Sequence, residues 1–147
     1  MGEIILEPIR ESDFEELHSL FLEFATFEKL PERMANTVQK MKDEKEYFQG
    51  FVARNNKGKI VGYVNFFFAY YTWTGKSLYM DDLYVTESFR GKGIGTMLIK
   101  KVISHAKDSG CNGLRWQVSN WNQHAINFYE YLGARINKVE MNCDLIF

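Results

Sequence analysis

Apolar residues recur along the chain with two different periods, and the switches between them mark out its elements. Residues 4–9, with Ile4, Ile5 and Ile9, alternate weakly and predict a short strand. Glu11, Ser12 and Asp13 follow, short polar side chains able to cap a helix on which Leu17, Leu20, Phe21 and Phe24 recur at helical spacing. Residues 31–43 are polar with scattered Met and Val, and Pro31 sits where a second helix can begin. Residues 48–53 then read as a strand, Asn55-Asn56-Lys57-Gly58 as a tight turn, and 59–71 as a long strand rich in Val and aromatic residues. After a break at residues 72–76, a third strand over 77–85 completes an antiparallel meander. Arg90-Gly91-Lys92-Gly93-Ile94-Gly95 opens a helix whose Ile94, Met97, Leu98, Val102 and Ala106 share a face, with Gly110 as its stop. A strand over 114–118, a helix over about 122–132 ended by Gly133, and a last strand within 137–147 complete the pattern.

The chain of 147 residues is 46% apolar and 16% aromatic, enough to bury one sizeable core, and no repeat or linker interrupts it. A single domain over 1–147 is expected. With 18 basic and 19 acidic residues, the net charge of −1 supplies no field directed at nucleic acid or an anionic membrane, so neither is expected as a partner. Cys111 and Cys143 form no CxxC pair, and His18, His105 and His124 lack metal-ligand spacing, so neither a disulfide framework nor a metal site is expected. The first residues carry no basic leader or long apolar run, which makes the cytoplasm the expected location.

Strand, glycine-rich turn and helix in series can converge backbone N–H groups on an anion, aided by the positive end of the helix dipole. Two nucleotide-binding readings fail on spacing. GxxxxGK[ST] is absent, and Thr96 fills the last position of GxGxxG/A. The pattern Gly91-x-Gly93-x-Gly95 by itself leaves a plain flexible turn as an equal alternative.

The full string Arg90-Gly91-Lys92-Gly93-Ile94-Gly95 resembles the Q/R-x-x-G-x-G/A signature of the GNAT superfamily of acetyltransferases. It follows Asp82-Leu83-Tyr84-Val85 and precedes Asn122-x-x-Ala125-x-x-Phe128-Tyr129-x-x-x-Gly133, as in that superfamily. Within it, Phe27-Glu28, the stretch from Trp73 to Asp82 and Trp121-Asn122 are similar to the spermidine/spermine (diamine) and thialysine N-acetyltransferases. The resemblance implies an α/β (α+β) fold: a mixed, mostly antiparallel twisted sheet of six to seven strands with about four helices. It also implies a homodimer and acetyl-coenzyme A as cosubstrate. The coenzyme would lie along Leu83, Tyr84 and Val85, with Arg90, Gly91, Lys92, Gly93, Ile94, Gly95 and Thr96 around its pyrophosphate and Asn122 and Ala125 in the second half of its site.

Acetylation needs a neutral nitrogen, yet an alkyl amine has a pKa near the lysine value of about 10.4, so a base must take its proton. Asp81 stands where the resembled family has a glutamate base. In a regular strand Asp81 and Asp82 point to opposite faces unless a bulge intervenes. Periodicity alone assigns Tyr129 to a helix face or the core, whereas the resemblance makes it the proton donor to the departing thiolate. The resemblance further assigns Phe27, Glu28, Asp82, Arg115, Trp116 and Gln117 to the amine. A guanidinium repels a polycation, so Arg115 either pairs with an acid such as Asp81 or faces a substrate that carries a carboxylate, as thialysine does. Two alternatives stand beside a small amine: a protein or peptide acceptor, and a non-catalytic acetyl-coenzyme A binder.

Overall fold

The structure, a computed structural model, describes residues 2–147. It divides into one unit running to Trp116 and another spanning Gln117–Phe147. The first contains β1 (Ile5–Pro8), α1 (Phe14–Phe27), α2 (Val38–Asp43), β2 (Gln49–Arg54), β3 (Ile60–Tyr71), β4 (Gly75–Val85), α3 (Ile94–Asp108) and β5 (Leu114–Arg115). Its strands lie in chain order, antiparallel from β1 to β4, with β5 parallel to β4.

The polar trio Glu11–Asp13 forms a 3-10 turn of its own before α1. The Asp13 carboxylate accepts the backbone N–H of Arg10 at 2.9 Å and pairs with Arg54, so this acid ties α1 to the end of β2. Pro31 starts a 3-10 turn, not α2, which begins at Val38, where the Thr37 hydroxyl accepts the N–H of Lys40 at 3.1 Å.

The sheet is covered on both faces. Phe14, Leu17 and Leu20 of α1 pack with Met41, Val52, Ile60, Tyr63 and Tyr84 on one side. Ile94, Leu98, Ile99 and Val102 of α3 are buried on the other side, where a Cβ at Gly62 would stand 3.3 Å from Leu98 Cδ1. Each fully buried side chain of this kind contributes about 1.5–3 kcal/mol, and β3 is accordingly buried continuously from Ile60 to Phe66.

The expected α/β architecture is present with four α-helices, but the described residues hold five strands, not six or seven. β5 is confined to Leu114–Arg115, shorter than the expected 114–118. The strand expected within 137–147 is absent, and Val139, Met141, Leu145 and Ile146 are exposed there. A strand needs a neighbour for its N–H and C=O groups, and α4 (Gln123–Tyr131) is the one regular element among the described residues of that unit. The Asn122 side chain caps α4 by accepting the Ala125 N–H at 3.2 Å, and Gly133 ends it at a φ of 92°.

Candidate active site

β4 carries the first part of the site because of an irregularity in its pairing. Asn65 opposes Asp82 and Phe66 opposes Met80, so the ladder skips Asp81, the extra residue of a β-bulge. Strict alternation therefore does not govern the two acids. Asp81 is exposed, yet the protein around it still raises its carboxyl above the ordinary range by desolvation. Asp82 lies deeper: its Oδ2 accepts the hydroxyl of the fully buried Tyr63 at 2.8 Å, and its backbone N–H donates to Asn65 Oδ1 at 2.9 Å. Burial first, then the charges of Asp81 and Glu28, push its carboxyl up to about 7, against the lowering effect of the Tyr63 hydrogen bond.

Glu28 is set by how α1 ends. Lys29 takes a left-handed φ of 66°, and its N–H reaches Thr26 O at 3.0 Å while that of Leu30 reaches Ala25 O at 2.9 Å. These two bonds form a Schellman cap that leaves Glu28 as the C-cap, just past the last helical residue Phe27. Phe27, 37% exposed, sits beside the Arg90 guanidinium at 4.6 Å from its ring centroid. Arg90 also lies 5.3 Å from the Tyr84 ring and donates its Nε–H to Val85 O at 2.7 Å. The start of the glycine loop is thus fastened to the end of α1.

Thr86 N–H donates to Val61 O at 2.9 Å and Asp82 N–H also points to the β3 side. Backbone groups alternate sides along a strand, so those of Leu83 and Val85 point to the other edge of β4. β5 pairs only with Leu78 and Tyr79, leaving that edge without a strand partner beyond Tyr79 among the described residues. Tyr84, in contrast, turns its side chain into the core, where it stacks 5.0 Å from Phe24 and donates to Glu23 Oε2 at 2.6 Å. Burial and Glu23 push its phenol up to about 12.

Past the strand, Gly91 and Gly93 adopt φ values of 74° and 82°, and a Cβ at either would meet nothing within 4 Å. Lys92 reaches back to Ser88 O at 3.3 Å, and Ile94, Gly95 and Thr96 begin α3. The loop therefore borders open space at the positive end of a fifteen-residue helix.

Arg115 lies 4.1 Å from the Tyr71 ring centroid and forms no ion pair with Asp81. Burial and Asp81 raise the Tyr79 phenol while Arg115 lowers it, which places both charges near that hydroxyl. Trp116 is half-buried at the end of this unit. In the second unit Gln117 donates to Asn142 Oδ1 at 2.7 Å, and Tyr129 is buried with its ring 5.5 Å from that of Phe128.

Tyr63 and Asn65 are the functional candidates that pattern reading missed. The signal lay in Asn65 itself, a strongly polar residue in the middle of an apolar strand, which must find a buried hydrogen-bond partner. A cavity of about 540 Å³ bordered by Phe48, Phe51, Lys101 and His105 includes none of Glu28, Asp81, Asp82 or the residues 90–96 of the glycine loop, so chemistry, not volume, points to the candidate site. No cluster of three or more potential metal ligands occurs among the described residues.

A model of the acetyltransferase (GNAT) family matches residues 14–134. The chain is 36% identical over 146 residues to thialysine N-epsilon-acetyltransferase of Mus musculus, covering 92% of this chain and 86% of that protein. It is 42% identical over 78 residues to a spermidine/spermine N(1)-acetyltransferase-like protein of Homo sapiens, covering 52% of this chain and 11% of that one. Among solved structures, an aminoglycoside acetyltransferase from an uncultured soil metagenomic sample, determined with trehalose, superposes with a TM-score of 0.82 at 20% identity, covering 97% of each chain. That likeness shows the fold, and the family match over most of the sequence places the chain in the GNAT acetyltransferase family.

Proposed function

We propose that the protein transfers an acetyl group from acetyl-coenzyme A to a primary amine of a small substrate by direct attack, with 1–147 acting as one acetyltransferase domain. The observation that carries this reading is the grouping of Asp82 with Asp81 and Glu28, whose charges both raise its carboxyl, next to an α1 end fastened to the glycine loop. Acetyl-coenzyme A supplies the activated acetyl group. The outward backbone of Leu83 and Val85 and the amides of residues 91–96 would hold it, and the open space over Gly91 and Gly93 fits that assignment. The acid pair Asp81 and Asp82 takes the ammonium proton, the resemblance giving the role to Asp81, and Tyr129 protonates the leaving thiolate. Asn122 and Ala125 serve the helix start as well as the coenzyme.

Arg115 favours one kind of acceptor. Its guanidinium is not neutralised by Asp81, and it stands near Tyr79 together with that acid. An amino acid with a side-chain amine, like the thialysine named for the murine relative, would place its carboxylate on Arg115 and its amine toward the acids. Thiol release should be measured with thialysine, lysine, ornithine, spermidine, spermine, putrescine and an N-terminal peptide. Arg115→Met is expected to raise KM for the best amino-acid acceptor at least about tenfold and to leave spermidine unaffected or improved. Spermidine outperforming every amino acid, with Arg115→Met indifferent, would remove the carboxylate assignment. Peptide turnover exceeding every small amine would replace the substrate class. A homodimer, which the resemblance implies, and a cytoplasmic location complete the proposal.

A further inference from the structure

Two adjacent acids could take the proton, and their settings differ. Asp81 is the exposed extra residue of the bulge, open to solvent. Asp82 is held twice, by the Tyr63 hydroxyl at its Oδ2 and by Asn65 at its backbone N–H, both from β3. Tyr63 is itself fixed: it is fully buried, with its ring 5.1 Å from Phe21 and 6.2 Å from Tyr84. Proton transfer requires a base held within a few tenths of an ångström of one position, which a locked rotamer provides and a solvated one does not.

We infer that Asp82, not Asp81, is the group that takes the proton directly from the amine, and that Tyr63 and Asn65 are positioning residues that hold it in place. The N–H bond of the substrate ammonium breaks and its electron pair stays on nitrogen. The proton forms an O–H bond with Oδ1 of Asp82, the oxygen that Tyr63 does not engage. Asp82 then releases that proton to water and its carboxylate is restored. The buried phenol of Tyr63, raised well above its ordinary range by burial and then by the Asp82 charge, stays protonated and keeps donating. The groups facing Asp82 are Tyr63 on β3, Asp81 on β4 and Glu28 at the end of α1. Both acids repel its charge and Tyr63 favours it, so removing the hydroxyl moves Asp82 to higher pKa.

The inference rests on the amine-acetylation reading, and the experiment separates the two. kcat/KM for the best amine is measured against pH in wild type, Tyr63→Phe, Asp81→Asn and Asp82→Asn, with acetyl-coenzyme A saturation as a control. Tyr63→Phe should move the ascending limb to higher pH, lose several-fold at neutral pH, recover at alkaline pH and keep its KM for acetyl-coenzyme A. Asp82→Asn should abolish the limb and lose at least about a hundredfold, while Asp81→Asn keeps it. A limb that vanishes in Asp81→Asn and persists in Asp82→Asn overturns the assignment. If no amine turns over in wild type, the functional reading fails and a carbon-13 titration of the Asp82 carboxyl in the free protein decides the inference alone. An identical Asp82 titration in wild type and Tyr63→Phe would then refute it.

Discussion

Asp82 places a thermodynamic burden on the fold that most surface acids do not. Its carboxyl rises from 3.8 to about 7 in the folded chain, so the native state holds a proton that the unfolded state has already released. Stability therefore falls as pH rises between those values and stays low above the upper one. At about 1.4 kcal/mol per unit, the cost reaches up to about 4 kcal/mol in alkaline solution. Asp82→Asn keeps an acceptor for Tyr63 and removes the charge. Thermal melts should show that variant more stable than wild type at pH about 8, with the advantage largely gone near pH about 4.5. An equal change in Tm at both values would mean that Asp82 ionises freely in the fold. In the role inferred above, the same residue trades stability for chemistry, as strained active sites commonly do. Asp81, Asp82 and Glu28 were visible in the sequence as candidate acids. Their unequal settings were not, because Tyr63 and Asn65 meet Asp82 only through cross-strand register.

Among the elements, the turn from β4 into α3 combines two glycines of different kinds. Gly93 caps α3 at a φ of 82°, where any side chain is strained. Gly95 lies inside the helix, where an added Cβ would find only Val85 Cγ2 at 3.9 Å. Gly93→Ala should cost about 1–2 kcal/mol and raise KM for acetyl-coenzyme A by distorting the loop. Gly95→Ala should hold or raise Tm, since alanine is favoured over glycine in a helix by about 0.5–1 kcal/mol. Calorimetry and coenzyme titration of the two variants check the order, and a larger loss in Gly95→Ala would contradict the loop geometry. Local signals placed most elements well: the Asn55–Gly58 turn joins β2 to β3, and Gly110 follows the last turn of α3. They failed where a partner decides. Residues 137–147 have strand-like composition but form no ladder, and α2 begins at Val38 because Thr37, not Pro31, caps it.

At the scale of the whole molecule, the distal β3–β4 hairpin leaves Tyr70 and Trp73 at 78% and 97% exposure, with Phe67 and Phe68 partly exposed beside them. Such an aromatic patch on a nearly neutral chain suits contact with a second copy, the homodimer proposed above. Light scattering should give twice the chain mass of 17.3 kDa, and Tyr70→Ser with Trp73→Ser should return it toward one chain. A wild-type monomer at micromolar concentration would refute the dimer. No described helix is long and apolar enough to cross a membrane. The sequence by itself determined the antiparallel meander, the glycine loop opening α3, the family and the three acids, because periodicity, turn chemistry and motif spacing are local properties of a chain. Tertiary structure alone decided the bulge at Asp81, the Tyr63 and Asn65 hold on Asp82, the clamp of Arg90 on Phe27 and the missing final strand. Each of these depends on which distant residue arrives as a partner, and that is set by packing and register, not by neighbours along the chain.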